Sequence, residues 1–126
     1  MKAYFVTQKN MGKCVVLKPR KPETAPDYEG PEQRICVSSS ILGALSSIGR
    51  NLGLGCYTYV YMCKLDESEI IQPNTVNDVD MTGEMWILNE TGFVLHKIIK
   101  LNSVNSFCID TEKDTEIYNF EFEIVQ

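Results

Sequence analysis

The chain has 126 residues, 44% of them hydrophobic, and carries 17 acids against 12 Lys/Arg for a net charge of −5. That length and apolar content predict one domain, residues 1–126, with its core in 1–101 and an extension in 103–126. Net acidity without a dense basic patch excludes sequence-independent nucleic-acid binding, no apolar run approaches the ~20 residues of a membrane span, and the first residues carry no apolar leader, so the expected location is the cytoplasm.

Charge is unevenly divided. Residues 1–34 hold seven Lys/Arg and four acids, 35–100 hold four and seven, and 101–126 hold one and six. A basic head and an acidic tail attract each other, within one chain or between two copies. The five cysteines show no C-x-x-C spacing and fall mostly in strand-like runs, which reads as buried free thiols.

In chain order, residues 3–7 (AYFVT) and 14–18 (CVVLK) read as two strands, joined into a hairpin by 8–13, where Asn10 and Gly12 supply turn chemistry. Residues 19–33 contain Pro19, Pro22, Pro26, Gly30 and Pro31, so neither helix nor sheet runs through them. This long loop is either a binding loop or a plain connector. Residues 34–49 (RICVSSSILGALSSIG) read as a strand, a tight serine turn and a helix, with Ile41, Leu42, Leu45 and Ile48 at helical spacing and Gly49 as the stop. Ser38, Ser39 or Ser40 caps that helix, and the same free backbone N–H groups suit an anionic ligand.

Residues 50–55 (RNLGLG) form a loop whose glycines follow a helix, the wrong place for a phosphate loop. Residues 56–64 (CYTYVYMCK) form a strand apolar on both faces and hence central, with Tyr57, Tyr59 and Tyr61 on one face and Thr58, Val60 and Met62 on the other. The tyrosines serve as core packing or as a stacking wall for a ring-shaped ligand. Residues 65–80 read as a connection with a short extended piece at 69–72, and 81–88 (MTGEMWIL) as a strand. After a turn at 89–92, residues 93–101 (FVLHKIIKL) form the returning strand, which carries the lone His96. The tail is a second hairpin, with strands at 104–110 and 116–125 and a charged turn at 111–115. In its second strand Tyr118, Phe120, Phe122 and Ile124 alternate with Asn119, Glu121, Glu123 and Val125, so the aromatic face needs a cover from its own domain or from a partner.

The expected fold is α+β: small, mostly antiparallel sheet with one central helix and a C-terminal hairpin. Catalytic signatures are scarce, since G-x-S-x-G, H-E-x-x-H and the P-loop are absent and one histidine builds neither a triad nor a metal site. A carboxylate mechanism stays open, and Glu84, just ahead of an apolar strand, is its candidate.

Several segments together resemble a known family. The order is an aromatic–Thr strand (Tyr4, Phe5, Thr7), a strand ending in Leu17 and Pro19, a Pro/Gly loop, R-I-C-V-S-S-S-I-L-G-A-L entering a helix, Y-V-Y-M, the pair Pro73–Asn74, and T-G-E-M-W. Over residues 3–101 this resembles the small ADP-ribosyltransferase fold, most of all the rifampin ADP-ribosyltransferases, along with a set of uncharacterised proteins of clostridia and their mobile elements. The resemblance implies a split sheet and a cleft for NAD or an ADP-ribose-like nucleotide. It implies a histidine on the first strand, where this chain has Val6, followed by Thr7 and Gln8. It implies a stacking tyrosine where this chain has Ile35, Cys36 and Val37, and an acid near Pro73 that falls on Ile71 or Gln72. Glu84 occupies the place of a catalytic glutamate in other members.

Three expectations follow. The first is a non-catalytic protein of this fold that binds a nucleotide-like ligand or a protein partner, with Arg34 and Ser38, Ser39 and Ser40 taking a phosphate and Tyr4, Tyr57 or Tyr59 stacking on a base beside Thr7. The second is an active NAD-dependent mono-ADP-ribosyltransferase using Glu84. The third is a mobile-element interaction or anti-defence protein whose contact surface, or site of self-association, is 103–126.

Overall fold

The computed structural model describes residues 1–20, 33–48, 52–71, 83–110 and 115–126, with side chains described everywhere in these except 104–110 and 115–120. Residues 21–32 (most of the expected loop), 49–51 (with the expected stop Gly49), 72–82 (with Pro73 and Asn74) and 111–114 (most of the expected turn) lie outside the described residues. Eight strands and one helix follow in order: β1 Lys2–Thr7, β2 Cys14–Leu17, β3 Ile35–Ser38, α1 Ile41–Ile48, β4 Tyr57–Lys64, β5 Ile70–Ile71, β6 Glu84–Ile87, β7 Thr91–Asp110 and β8 Thr115–Ile124. A 3-10 turn at Glu67–Glu69 precedes β5. The fold is therefore α+β, and every strand pair in it is antiparallel. Among the described residues no helix is long and apolar enough to cross a membrane.

The sheet runs β2-β7-β4-β1-β3-β6-β5, with β8 added to β7. As expected, β4 is interior, lying between β7 and β1. The expected hairpin of the first two strands is not formed: β2 pairs with β7, from Cys14↔Val94 to Leu17↔Thr91, while β1 pairs with β4 and β3. The connection between β1 and β2 is held by a side chain instead of a ladder. Tyr61, fully buried, donates its hydroxyl to the Gly12 carbonyl (2.8 Å) and accepts the Met11 N–H (3.0 Å), while Gly12 sits at φ +88°.

Two cores lie on the two faces of the sheet. One gathers Ala3, Ile35, Val37, Tyr61, Cys63, Leu65, Met85, Ile87 and Phe93, with Phe5, Val15, Leu17 and Tyr59 at its margin. The other packs Ala44, Leu45 and Leu52 on Val6, Val60, Ile99 and Leu101, with Tyr4, Ile41 and Ile48 alongside. The helix presents 41, 44, 45 and 48 inward, an i, i+3, i+4, i+7 stripe. Leu42, expected on that stripe, points outward and is 55% exposed.

β7 serves both cores because of one extra residue. Tyr61 faces Leu95 and Val60 faces Lys97, so His96 is a bulge between them. Side chains alternate with period two, so one inserted residue moves the following odd positions to the other face. Phe93 and Leu95 accordingly pack in the first core, and Ile99 and Leu101 in the second. The break expected between two strands near residue 102 is also only a register shift, between Leu101 and Ser103, within one strand of 20 residues. The tail hairpin pairs as expected, from Ile99↔Ile124 to Asp110↔Thr115. Of the two expected covers, its own domain does not supply one where side chains are described, since residues 121–126 are all exposed, Phe122 at 37% and Ile124 at 59%. The cysteines also differ from expectation: Cys63 is buried, but Cys14 and Cys56 are exposed.

Tyr61→Phe keeps the ring and removes the hydroxyl that bonds the Met11–Gly12 segment, so unfolding in urea is expected to show a loss of about 1–2 kcal/mol. A change near zero would show that the segment is held by the ladder of β2 alone.

Candidate functional site

The site is a gap in the sheet. β1 and β4 stay paired from Lys2↔Lys64 to Thr7↔Tyr59, but β1 meets β3 at one register position, Tyr4↔Ser38. Beyond that junction the strands diverge. The chain leaving β2 crosses to the start of β3, and Arg20 and Arg34 exchange backbone hydrogen bonds of 3.0 and 2.9 Å. The result is a cleft of about 690 Å³ walled by β1 (Tyr4 to Gln8) and β3 (Arg34 to Val37), with Leu17 and Lys18 from the end of β2 and Ala44, Ser47 and Ile48 from α1.

Charge in the cleft is one-sided. Its described lining contains Lys9, Lys18, Arg20 and Arg34 against one acid, Glu84. The register sorts these groups along the cleft. Glu84 pairs with Ser38, at the junction. Arg34 lies four residues away along β3, about 13 Å at strand rise, beside Arg20 and across from the Gln8–Lys9 end of β1. The exposed Lys9, Lys18 and Arg20 thus gather at the open end and the carboxylate stands at the apex. Lys9, Lys18 and Arg20 are exposed, whereas Arg34 is 1% exposed.

Trp86 links the two ends. Cys36 pairs with Trp86 and Ser38 with Glu84, so Arg34, Cys36, Ser38, Glu84 and Trp86 share the helix-side face of β3 and β6. The Arg34 guanidinium lies 4.1 Å from the Trp86 ring centroid, a cation–π arrangement that offsets part of the cost of burying the charge. The indole Nε1–H donates to Glu84 Oε2 at 2.9 Å. One buried indole, 3% exposed, therefore touches both a cation and the acid of the cleft.

Of the residues nominated from sequence, Tyr4, Thr7, Arg34 and Glu84 line this one cleft. The serines are not in its lining. Ser40 Oγ accepts the Gly43 N–H at 3.0 Å, the N-cap of α1, and Ser38 Oγ accepts the Ser40 N–H at 3.4 Å. Ser39 donates its N–H to the Gly83 carbonyl at 3.2 Å, joining the turn to the start of β6. Tyr57 is 51% exposed and outside the cleft, and Tyr59 packs on the first core. Thr7 Oγ1 accepts the Lys9 N–H at 3.1 Å, shaping the end of β1. His96 is exposed at its bulge, with its ring centroid 5.8 Å from that of Tyr4.

Sequence reasoning missed Gln8, Lys18, Arg20 and Trp86. Gln8 acts as a strand partner for the loop after α1: its Nε2 donates to the Gly53 carbonyl (2.9 Å) and to Thr58 Oγ1 (3.2 Å), and its Oε1 accepts the Gly53 N–H (2.8 Å). The excess of Lys/Arg in residues 1–34 was the available signal for Lys18 and Arg20. Val6, where the resemblance to the transferases implies a histidine, is 4% exposed in the helix-side core. Cys63 is held as a protonated thiol, its pKa pushed up to about 11 by burial and then by the nearby Glu69, so it is no nucleophile at neutral pH. Among the described residues no group of three His, Cys, Asp or Glu is placed to hold a metal ion.

Gly83 connects the serine turn to the acid. It holds φ +66°, and a Cβ there would strike Ser39 Oγ. The hydroxyl can rotate away, but the left-handed backbone cannot be kept cheaply by another residue. Gly83→Ala is expected to cost about 1–3 kcal/mol in thermal or urea unfolding, and to cost nearly as much in a Ser39→Ala background. Full recovery in that background would assign the cost to the side-chain collision instead.

Comparison of the chain with protein-family models, with curated proteins and with solved structures finds no match.

Proposed function

We propose that the protein binds a nucleotide-like anion in the cleft between β1 and β3, in the cytoplasm, as a non-catalytic member of the ADP-ribosyltransferase-like fold. One observation carries the reading: a chain with net charge −5 lines its cleft with four cations and one acid among the described residues. Clustering cations against the sign of the whole chain costs self-repulsion, and an anionic ligand repays it. The volume, about 690 Å³, lies inside the range of small-molecule sites, roughly 300–1,000 Å³. Tyr4 supplies an aromatic face at the apex, and Lys18, Arg20 and Arg34 supply charge at the open end.

Isothermal titration and thermal shift with NAD, ADP-ribose and cyclic ADP-ribose-like nucleotides test this. Binding is expected to weaken with salt and to fall about tenfold in Lys18→Gln/Arg20→Gln, corresponding to ~1.4 kcal/mol. Both residues are exposed, so the variant keeps the fold. If none of these nucleotides binds, the reading is lost.

The transferase reading keeps one specific support, that Glu84 and Arg34 line the same cleft. Against it stands the core valine at position 6. The non-catalytic reading expects no NAD hydrolysis by the wild type; consumption of NAD that disappears in Glu84→Gln would replace it with the enzymatic one.

A further inference from the structure

β8 has one partner. Its ladder to β7 runs the length of the strand and no other described strand pairs with it, so among the described residues the 10-residue strand has a free outer edge. Beyond Leu101 the ribbon leaves the rest of the sheet, because the β4 ladder on β7 begins at Lys100. A free edge presents a row of N–H and C=O groups ready to pair with another chain. Two further properties define what fits it. First, its described faces differ: Phe122 and Ile124, on the side of Leu101 and Ile99, are 37% and 59% exposed, whereas Glu121 and Glu123 stand on the other side. Second, residues 101–126 hold six acids and one lysine, a balance of −5 equal to that of the whole chain. The acid excess of the protein thus sits in this ribbon.

We propose that the β8 edge is a docking site for an extended peptide in which Lys or Arg alternates with apolar residues. Such a strand adds to the edge through its backbone, lays its apolar side chains beside Phe122 and Ile124, and sets its cations beside Glu121 and Glu123. A second copy pairing β8 with β8 would bring like charges together, which disfavours it. The surface is separate from the cleft, so its failure leaves the anion-binding reading standing.

The test uses the full chain and three fluorescein-labelled ten-residue peptides followed by anisotropy: alternating Lys and Val, alternating Glu and Val, and the Lys/Val peptide N-methylated at every second residue. The Lys/Val peptide is expected to bind and to weaken several-fold between about 50 and about 300 mM salt. The N-methylated form is expected to bind at least about tenfold more weakly and the Glu/Val peptide not at all. Phe122→Ser/Ile124→Ser and Glu121→Lys/Glu123→Lys, all at exposed positions, should each weaken it while far-UV circular dichroism keeps the folded signal, and Lys18→Gln/Arg20→Gln should leave it unchanged. Equal binding of the N-methylated peptide, absence of Lys/Val binding, or a dimer in sedimentation that dissociates in Phe122→Pro would each overturn the proposal.

Discussion

The structure depends on an unequal sharing of β1. Antiparallel strands stay together where successive backbone groups pair, and β1 commits its full length to β4 and a single register position to β3. That one junction, Tyr4↔Ser38, turns what would be a flat sheet into two strand groups hinged at an apex. The Arg20–Arg34 bridge then ties the far end of β2 to the start of β3. These strands lie four places apart in the sheet order, about 19 Å in a flat sheet, so the sheet must curl for the bridge to form. Curling brings Val15 and Leu17 of β2 into the same core as Ile35 and Val37 of β3. The inner face is thereby closed off by the sheet itself, and the helix is left to cover the other face.

The inserted His96 makes this arrangement workable for β7. A regular strand of 20 residues would send all its odd positions to one face. The stretch 93–101 instead has to fill the curled core beside β2 and the helix core beside β4. One bulge changes sides at the point where both requirements meet. It also marks a change of neighbour on the outer edge: Leu95 donates its N–H to Lys13 next to β2, and Ile98 is already bonded to Gln126 beyond β8. A lone histidine in an apolar strand is thus explained by strand geometry, without any chemistry of its imidazole.

Local features of the sequence were legible and long-range pairing was not. The serine turn and its cap, the helix after it, the interior strand at 57–64 and the tail hairpin all follow from nearest-neighbour patterns: a hydroxyl at the N-cap, apolar spacing, alternation. The partner of β2 could not be read that way, because a turn between two apolar runs satisfies hairpin chemistry whether or not the strands pair. In place of a hairpin ladder, Tyr61, nearly fifty residues away, takes up the turn's backbone groups with its hydroxyl. The same limit applied to the site. Arg34 and Glu84 stood out by type and placement, but Trp86 read as one more apolar strand residue, since its role depends on a register with Cys36 that only the fold supplies. Leu42 was misjudged because hydrophobicity shows what gains from burial, not what is buried.

The indole of Trp86 touches both a cation and an acid of the cleft. A guanidinium that is 1% exposed is costly to hold in an apolar wall. The guanidinium rests on the ring face and the carboxylate accepts from the ring N–H, the negative and positive regions of one aromatic system. One aromatic ring thus contributes to the placement of both charges. Opposite charge at the two ends gives the cleft a direction, cationic where it opens and acidic where the strands join. Such a field orients an anion by its charge before any contact is made, and because the cations at the mouth are exposed while Arg34 is not, salt screens the approach more than it screens the seat.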